Sequence, residues 1–186
     1  MKSDDGITSA EKFCRQAFDN LPFLFRSRRI GCFSCGYVFL YDGTEETQPM
    51  TVDGNCGMCP ACGRFSLFGD AVGDFTQPEL LACGAYLLFF RAVPPETLPP
   101  AVRLYLACSA NTGELRRYDD AYCLACGEIF VLNPVMFYAA DGGPVRDDAA
   151  FLCPYCLAPA VVPEDKAAVF RQCCQETGIF RHIPNN

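Results

Sequence analysis

The sequence contains a single histidine, His182, in the polar tail R-H-I-P-N-N. Hydrolytic and nucleophilic sites usually combine a histidine with a cysteine, a serine, a carboxylate or a metal ion. The chain has no Cys–His pairing, no Gly-rich phosphate loop and no His-Glu-x-x-His motif. We interpret His182 as a solvated residue of the tail and expect a protein that is not an enzyme and has no catalytic residues.

The sequence also lacks a long apolar run and an excess of basic residues. Its longest apolar stretch, Leu80 to Phe90, is about half of what a membrane span requires, and its first ten residues have no apolar core of the kind a signal peptide needs. Residues 1–94 carry 8 Lys/Arg against 11 Asp/Glu, and residues 95–186 carry 7 against 11. We expect a cytoplasmic protein with no membrane partner, and the acidity disfavours nucleic acid, which binds basic surfaces.

Cysteine, in contrast, is abundant, with 14 residues in 186. Without an export signal, this density indicates metal binding rather than disulfides. Cys-x-x-Cys pairs occur at 32/35, 56/59, 59/62, 123/126 and 153/156. The pairs at 32/35 and 123/126 are both followed by Gly and, three residues later, by Phe, and are 91 residues apart. The pairs at 59/62 and 153/156 share Cys-Pro-x-Cys and are 94 residues apart, so the chain is predicted to be an internal duplication.

Two Cys-x-x-Cys turns deliver four thiolates to one tetrahedral ion when the chain between them turns back on itself. The 23 residues between Cys35 and Cys59, and the 26 between Cys126 and Cys153, are enough for a two-stranded hairpin. We therefore predict two closed structural sites, each holding Zn²⁺. The predicted ligands are Cys32, Cys35, Cys59 and Cys62 in site 1, and Cys123, Cys126, Cys153 and Cys156 in site 2.

Two other kinds of chemistry stay open for these cysteines. The first unit, with Tyr37 after its first pair and Gly63 after its second, also resembles rubredoxin, so iron in one site is an alternative to zinc. Cys153-Pro-Tyr-Cys156 alone has the form of a redox dithiol. In a redox protein a helix would begin at once after the pair, whereas Pro159 and Pro163 favour an extended backbone here.

The remaining cysteines are interpreted as structural. Cys56 has no counterpart in the second unit and is expected to be a bystander. Five others fall in predicted helices, where a small buried apolar role is expected: Cys14, Cys83, Cys108, Cys173 and Cys174. Arginines precede both first pairs and either compensate the negative thiolate centres or form a nucleic-acid patch; they are Arg26, Arg28, Arg29, Arg116 and Arg117.

Each unit is predicted to run helix, Cys pair, short strands, Cys pair, loop, helix. Capping-box patterns start helices at Thr8 and Thr76, Pro22 bends or ends the first of these helices, and Gly178 ends the last. The fold class is α+β, with two tandem zinc-ribbon-like repeats, each a four-cysteine site on short β-hairpins flanked by helices. The predicted boundaries are 8–93 for the first repeat, 94–100 for a Pro-rich linker and 101–182 for the second repeat.

Residues 10–91 also carry a resemblance. With C32-F-S-C35, C59-P-A-C62-G, the turn G-D70-A-V-G73 and the apolar helix after it, this half is similar to small bacterial cytoplasmic zinc-ribbon-like proteins of uncharacterised function. The resemblance implies a zinc-ribbon-like fold, Cys32, Cys35, Cys59 and Cys62 as ligands, and no catalytic residues. The second half keeps the four cysteines but loses the Gly-Asp turn.

The functional prediction is a non-enzymatic zinc protein that acts through protein–protein interaction, as an adaptor or an immunity-type binder of a basic partner. A small-molecule substrate is not expected. The alternatives are a rubredoxin-like or dithiol redox protein and a nucleic-acid-binding zinc ribbon.

Overall fold

The computed structural model describes residues 4–51, 53–90 and 95–180. The chain divides into two compact units, Met1–Val102 and Arg103–Asn186. Each unit contains helices and a three-stranded antiparallel sheet, so the α+β fold of two tandem repeats is confirmed. Among the described residues, no helix has both the length and the apolar character needed to cross a membrane.

The first unit places a small sheet beside two longer helices. Its elements are α1 (Asp4–Arg15), α2 (Leu21–Leu24), β1 (Arg29–Cys32), β2 (Val38–Leu40), β3 (Leu67–Gly69) and α3 (Gln77–Phe90). The strand order is β2-β1-β3, with Gly31 paired to Val38 on one side and to Phe68 on the other. The buried Phe13 of α1 packs edge-on against Phe68, with ring centroids 4.7 Å apart, which joins the helix to the sheet.

The second unit repeats this arrangement. Its elements are α4 (Pro100–Ser109, within which the two units divide), α5 (Thr112–Leu115), β4 (Asp120–Cys123), β5 (Ile129–Val131), β6 (Val161–Pro163) and α6 (Ala167–Thr177). The strand order is β5-β4-β6. β4 begins 91 residues after β1, and β6 begins 94 residues after β3. These are the two separations between the cysteine pairs, so the duplication extends to the sheet.

The strands lie at different positions along the chain, relative to the cysteine pairs, from those that the sequence predicts. The hairpin of each sheet encloses the first Cys pair, because β1 ends at Cys32 and β4 ends at Cys123. Only β2 or β5 lies between the two pairs, and the third strand follows the second pair. The sheet therefore holds both pairs at one end, where β1 and β3 pair Cys32 with Leu67.

The helix boundaries are partly as predicted. α1 begins at Asp4, so Thr8 lies inside the helix, and Pro22 starts α2 instead of ending α1 because proline suits a first helical turn. The capping box of α3 is confirmed, since the Thr76 hydroxyl donates to Glu79 Oε2 at 2.8 Å and accepts from the Glu79 N–H at 3.3 Å. α6 ends, as predicted, at Gly178, whose φ is 71°.

Two further expectations concern α3 and the linker. The sequence of α3 is apolar on nearly every face and predicts a buried helix, but Leu81 and Leu88 are 52% and 63% exposed. One face of the helix packs toward α1 and β1, and its buried residues include Leu80, Cys83, Gly84 and Leu87. In the predicted linker, residue 94 lies outside the described residues, Pro95–Thr97 form a 3-10 turn and α4 begins at Pro100.

Candidate metal centres

The structure brings the predicted cysteines together in two clusters of four, and within each cluster all four sulfurs lie within 4.8 Å of one another. The clusters are Cys32, Cys35, Cys59 and Cys62 (cluster 1) and Cys123, Cys126, Cys153 and Cys156 (cluster 2). In cluster 1, Sγ–Sγ distances are 3.7 Å for Cys32 to Cys62 and 3.8 Å for Cys35 to Cys59. In cluster 2, the two corresponding distances are both 3.7 Å.

These distances fit a tetrahedral metal site. Zn–S bonds of about 2.3 Å place the sulfurs of a regular tetrahedron about 3.8 Å apart. A disulfide would need a sulfur separation of about 2.05 Å, and all the cysteines are free thiols. Each cluster could therefore hold one metal ion through four thiolates, on a duplicated zinc-ribbon-like scaffold.

The four Cys-x-x-Cys pairs that make up the two clusters form the same backbone turn, which we call a knuckle. In each knuckle the N–H of the residue after the second cysteine donates to the C=O of the first cysteine, at 2.8–2.9 Å. The N–H of the first cysteine donates to the C=O of the residue two positions after the second cysteine, at 2.8–3.0 Å. The residues that close the four turns are Gly36, Gly63, Gly127 and Leu157. Two bonds per turn fix both sulfurs on the same side of the backbone.

The residue that closes each knuckle has a left-handed backbone. Its φ is 74° at Gly36, 68° at Gly63, 80° at Gly127 and 60° at Leu157. The N–H group of each closing residue donates to the carbonyl of the first cysteine. Glycine is favoured there because a left-handed residue with a Cβ is strained. Leu157 is the exception that cluster 2 tolerates.

Gly63→Ala is expected to lower the free energy of unfolding by about 1 kcal/mol, although a Cβ at this position has nothing within 4 Å. The loss of stability comes from the positive φ alone. The variant therefore measures backbone strain without a contribution from steric crowding. Gly63→Asn should lose less, since asparagine adopts this conformation more readily. Urea unfolding of the metal-loaded proteins checks the prediction. Equal stability of the wild type and the Ala variant would count against the strain.

Backbone amides within the knuckles favour the charged form of the sulfurs. In cluster 1 the Cys32 thiol donates to Cys59 and lowers the Cys59 pKa to about 5, and the N–H groups of Cys62 and Ala61 lower it as well. The hydrogen bond with Cys59, together with burial, raises the pKa of Cys32. These hydrogen bonds favour the thiolate form of Cys59, and a cation would offset the cost of deprotonating the other buried thiols.

Cluster 2 repeats this electrostatic arrangement. The hydrogen bond from Cys123 lowers the pKa of Cys153 to about 5, assisted by the N–H groups of Cys156 and Tyr155. The pKa of Cys156 rises to about 11, chiefly through burial. The same donors at the same positions in both repeats indicate that the thiolate environment belongs to the fold, not to one copy of it.

In each unit, one buried asparagine hydrogen-bonds to the backbone on both sides of the second knuckle. The Asn20 side chain donates to Leu67 C=O at 2.9 Å and accepts from the Gly57 N–H at 2.7 Å. Asn111 bonds in the same way to Val161 and Phe151. Asn20 and Asn111 are 1% and 2% exposed. Sequence reasoning missed this pair, although the asparagines are 91 residues apart, the same separation as the first cysteine pairs.

The turn that distinguishes the first unit also has a visible role. Asp70 accepts hydrogen bonds from the backbone N–H groups of Arg28 and Arg29, at 2.9 and 3.2 Å. It thereby fixes the entry to β1, which leads to Cys32. In the second unit Pro163 and Glu164 replace Gly69 and Asp70, and a 3-10 turn is still formed at Glu164–Lys166. The backbone turn therefore persists without the aspartate.

The other cysteines lie outside the clusters. Cys56 is buried, and its sulfur accepts from the Asp19 N–H at 3.4 Å. The five helical cysteines are all buried, as predicted; they are Cys14, Cys83, Cys108, Cys173 and Cys174. His182 lies outside the described residues.

Some of the arginines before the first pairs form ion pairs with aspartates of their own unit. Arg29 Nη2 lies 2.6 Å from Asp74 Oδ1, and Arg116 Nε lies 3.3 Å from Asp147 Oδ1. These two arginines therefore balance carboxylate charge.

Comparisons of the chain with protein-family models, curated proteins and solved structures found no match. The resemblance of residues 10–91 to a bacterial family thus stays a prediction, and any function has to be inferred from the clusters and the surfaces around them.

Proposed function

We propose that the chain is a non-enzymatic protein that holds one zinc ion in each cluster and acts by binding another protein, as an adaptor or an immunity-type binder. Four thiolates complete a tetrahedron and leave no open position for water or substrate, which is typical of structural zinc. Thiolate tetrahedra also suit iron. Metal analysis separates the two: two zinc ions per colourless chain are expected, and a red protein with ferric-thiolate absorbance would favour the redox alternative.

The observation that carries the binding role is an apolar surface on the second unit. A cavity of about 330 Å³ is lined by Thr112, Met136, Val145, Ala150, Phe151, Leu152 and Pro154. Val135 and Tyr155, which are next in sequence to the lining residues Met136 and Pro154, are 74% and 65% exposed. Large exposed apolar side chains around a pocket are typical of protein-binding sites, where tyrosine and methionine are enriched. We call this set of residues the apolar surface.

Charge supports a basic partner. The chain has a net charge of −7, and the exposed Asp141 lies on the loop before the second knuckle of the second unit. Complementary charge accelerates association and disfavours partners of the same sign. The alternatives have less support: the Arg29 and Arg116 side chains pair with aspartates, and the chain continues after Cys156 into β6, not into the helix of a dithiol enzyme.

The test is affinity capture from the native host with the metal-loaded chain and two variants. Tyr155→Ala removes the most accessible ring beside the cavity, and Ala61→Ser changes the equivalent exposed position of the first unit. A protein should be captured by the wild type and by Ala61→Ser, but at least about tenfold less by Tyr155→Ala, as for a binding hot spot. Capture should weaken with salt. Recovery of nucleic acid alone, or equal capture by all three, would contradict the proposal.

A further inference from the structure

The two clusters differ in the exposure of the second cysteine of each knuckle. In both, the first cysteine of each knuckle is buried. The second cysteines of cluster 1, Cys35 and Cys62, are exposed, whereas those of cluster 2, Cys126 and Cys156, are only partly exposed. A ligand from solution therefore meets two exposed cysteines at cluster 1 and two partly exposed cysteines at cluster 2.

The side chains of the second knuckle match this difference. In cluster 1 the residues before and after Cys62 are Ala61 and Gly63; at the equivalent positions cluster 2 has Tyr155 and Leu157. The Tyr155 ring packs edge-on against Phe130, with centroids 5.9 Å apart, which holds it beside the knuckle. The second cysteine of the second knuckle is thus flanked in sequence by two large side chains in cluster 2 and by Ala and Gly in cluster 1.

The clusters also differ in a buried residue next to the first cysteine of the first knuckle. Ser66 Oγ is 3.0 Å from Cys32 Sγ, and Ala160 stands at the equivalent position of the second unit. Ser66 is fully buried. Its hydroxyl changes the charge on one sulfur without changing the access of solvent, so its replacement can separate these two effects.

We propose that cluster 1 is an exchangeable metal site and cluster 2 a closed structural one. The proposal rests on the zinc binding proposed above. A thiolate or chelating nitrogen ligand would reach the ion beside Cys35 and Cys62, where it would replace one of the cysteine thiolates. No electron is transferred. Thiophilic ions such as Cd²⁺ then enter cluster 1, because soft thiolate ligands prefer them.

The test follows zinc release from the two-zinc chain in excess 4-(2-pyridylazo)resorcinol. Release should occur in two equal phases, the faster on the order of tenfold quicker, as is found when the surroundings of a metal site are altered. The fast rate should rise with chelator concentration, since attack and not unfolding limits it. Labelling with N-ethylmaleimide during the fast phase, followed by peptide mass spectrometry, should modify Cys35 and Cys62. A single phase, or early labelling of Cys126 and Cys156, overturns the proposal.

Reciprocal variants test the cause. The double variant Ala61→Tyr with Gly63→Leu should slow the fast phase toward the slow one, and Tyr155→Ala with Leu157→Gly should quicken the slow phase. Ser66→Ala should leave the fast phase unchanged; a comparable slowing by Ser66→Ala would assign the difference to sulfur charge and overturn the role of access. A chain that binds no metal would also refute the proposed zinc function, whereas two ions released at one rate would refute only this inference.

Discussion

Cys126→Ser is expected to unfold the second unit, Arg103–Asn186, and to reduce the bound metal from two ions to one. A structural zinc ion contributes on the order of 10 kcal/mol of apparent binding free energy, which becomes folding free energy. That is comparable with the whole stability of a small domain, about 5–15 kcal/mol. Native mass spectrometry gives the metal count, and circular dichroism during heating should show the loss of one unfolding transition or a large fall in the melting temperature.

The size of this effect follows from the small sheet that surrounds cluster 2. β4, β5 and β6 are only three or four residues long, and a sheet of such strands is marginal without further support. Cys126 Sγ lies 3.7 Å from Cys153 Sγ, across the two knuckles. A serine hydroxyl stays protonated near neutral pH and does not replace the thiolate. Cys126→Ser therefore removes one of the four thiolates that would join the two knuckles through the ion.

Cys56→Ala is the matched control. Cys56 belongs to a Cys-x-x-Cys pattern with Cys59 but lies outside cluster 1. The variant should keep two metal ions and lose only the modest stability of a small buried side chain. If Cys126→Ser kept two ions and an unchanged melting temperature, cluster 2 would not be a metal site. If Cys56→Ala lost one ion, the ligand set of cluster 1 would be wrong.

The clustering of the cysteines could be predicted from the sequence because a thiolate tetrahedron needs a particular spacing, and the duplication shows that spacing twice. The α+β class followed from the same pattern. β3 and β6 were not expected as separate strands after the second knuckle. Each has only three residues, all buried, so neither shows the alternation of polar and apolar residues by which a strand is recognised.

Exposure depends on tertiary packing that no local pattern contains. α3 is apolar on all sides, yet Leu81 and Leu88 face solvent because the neighbouring elements cover only one side of the helix. The unequal accessibility of Cys62 and Cys156 likewise depends on what stands beside them in space. The buried asparagines were overlooked because asparagine near a short helix is usually read as a cap or a turn, and its partners are distant in sequence.

Asn20→Ala is expected to lower the free energy of unfolding of the first unit by about 2–6 kcal/mol, because it leaves two buried backbone groups without partners, at about 1–3 kcal/mol each. These groups are the Gly57 N–H, two residues before Cys59, and the Leu67 C=O, in the strand after Cys62. The asparagine thus fixes both ends of the second knuckle. Urea unfolding measures the loss, and zinc titration against a chelator should show weaker binding at cluster 1.

Two matched variants decide whether the burial of the asparagine causes this effect. Asn111→Ala breaks the equivalent bonds to Val161 and Phe151, and should destabilise the second unit by a similar amount. Asn133→Ala removes an exposed side chain that accepts from the Val135 N–H at 3.0 Å, and should cost about 1 kcal/mol or less, as for a helix cap. If all three variants cost the same, the asparagines would be ordinary turn residues. A large loss confined to the buried pair would mean that each repeat positions its second knuckle through one amide side chain, with the metal closing a geometry that the protein has already set.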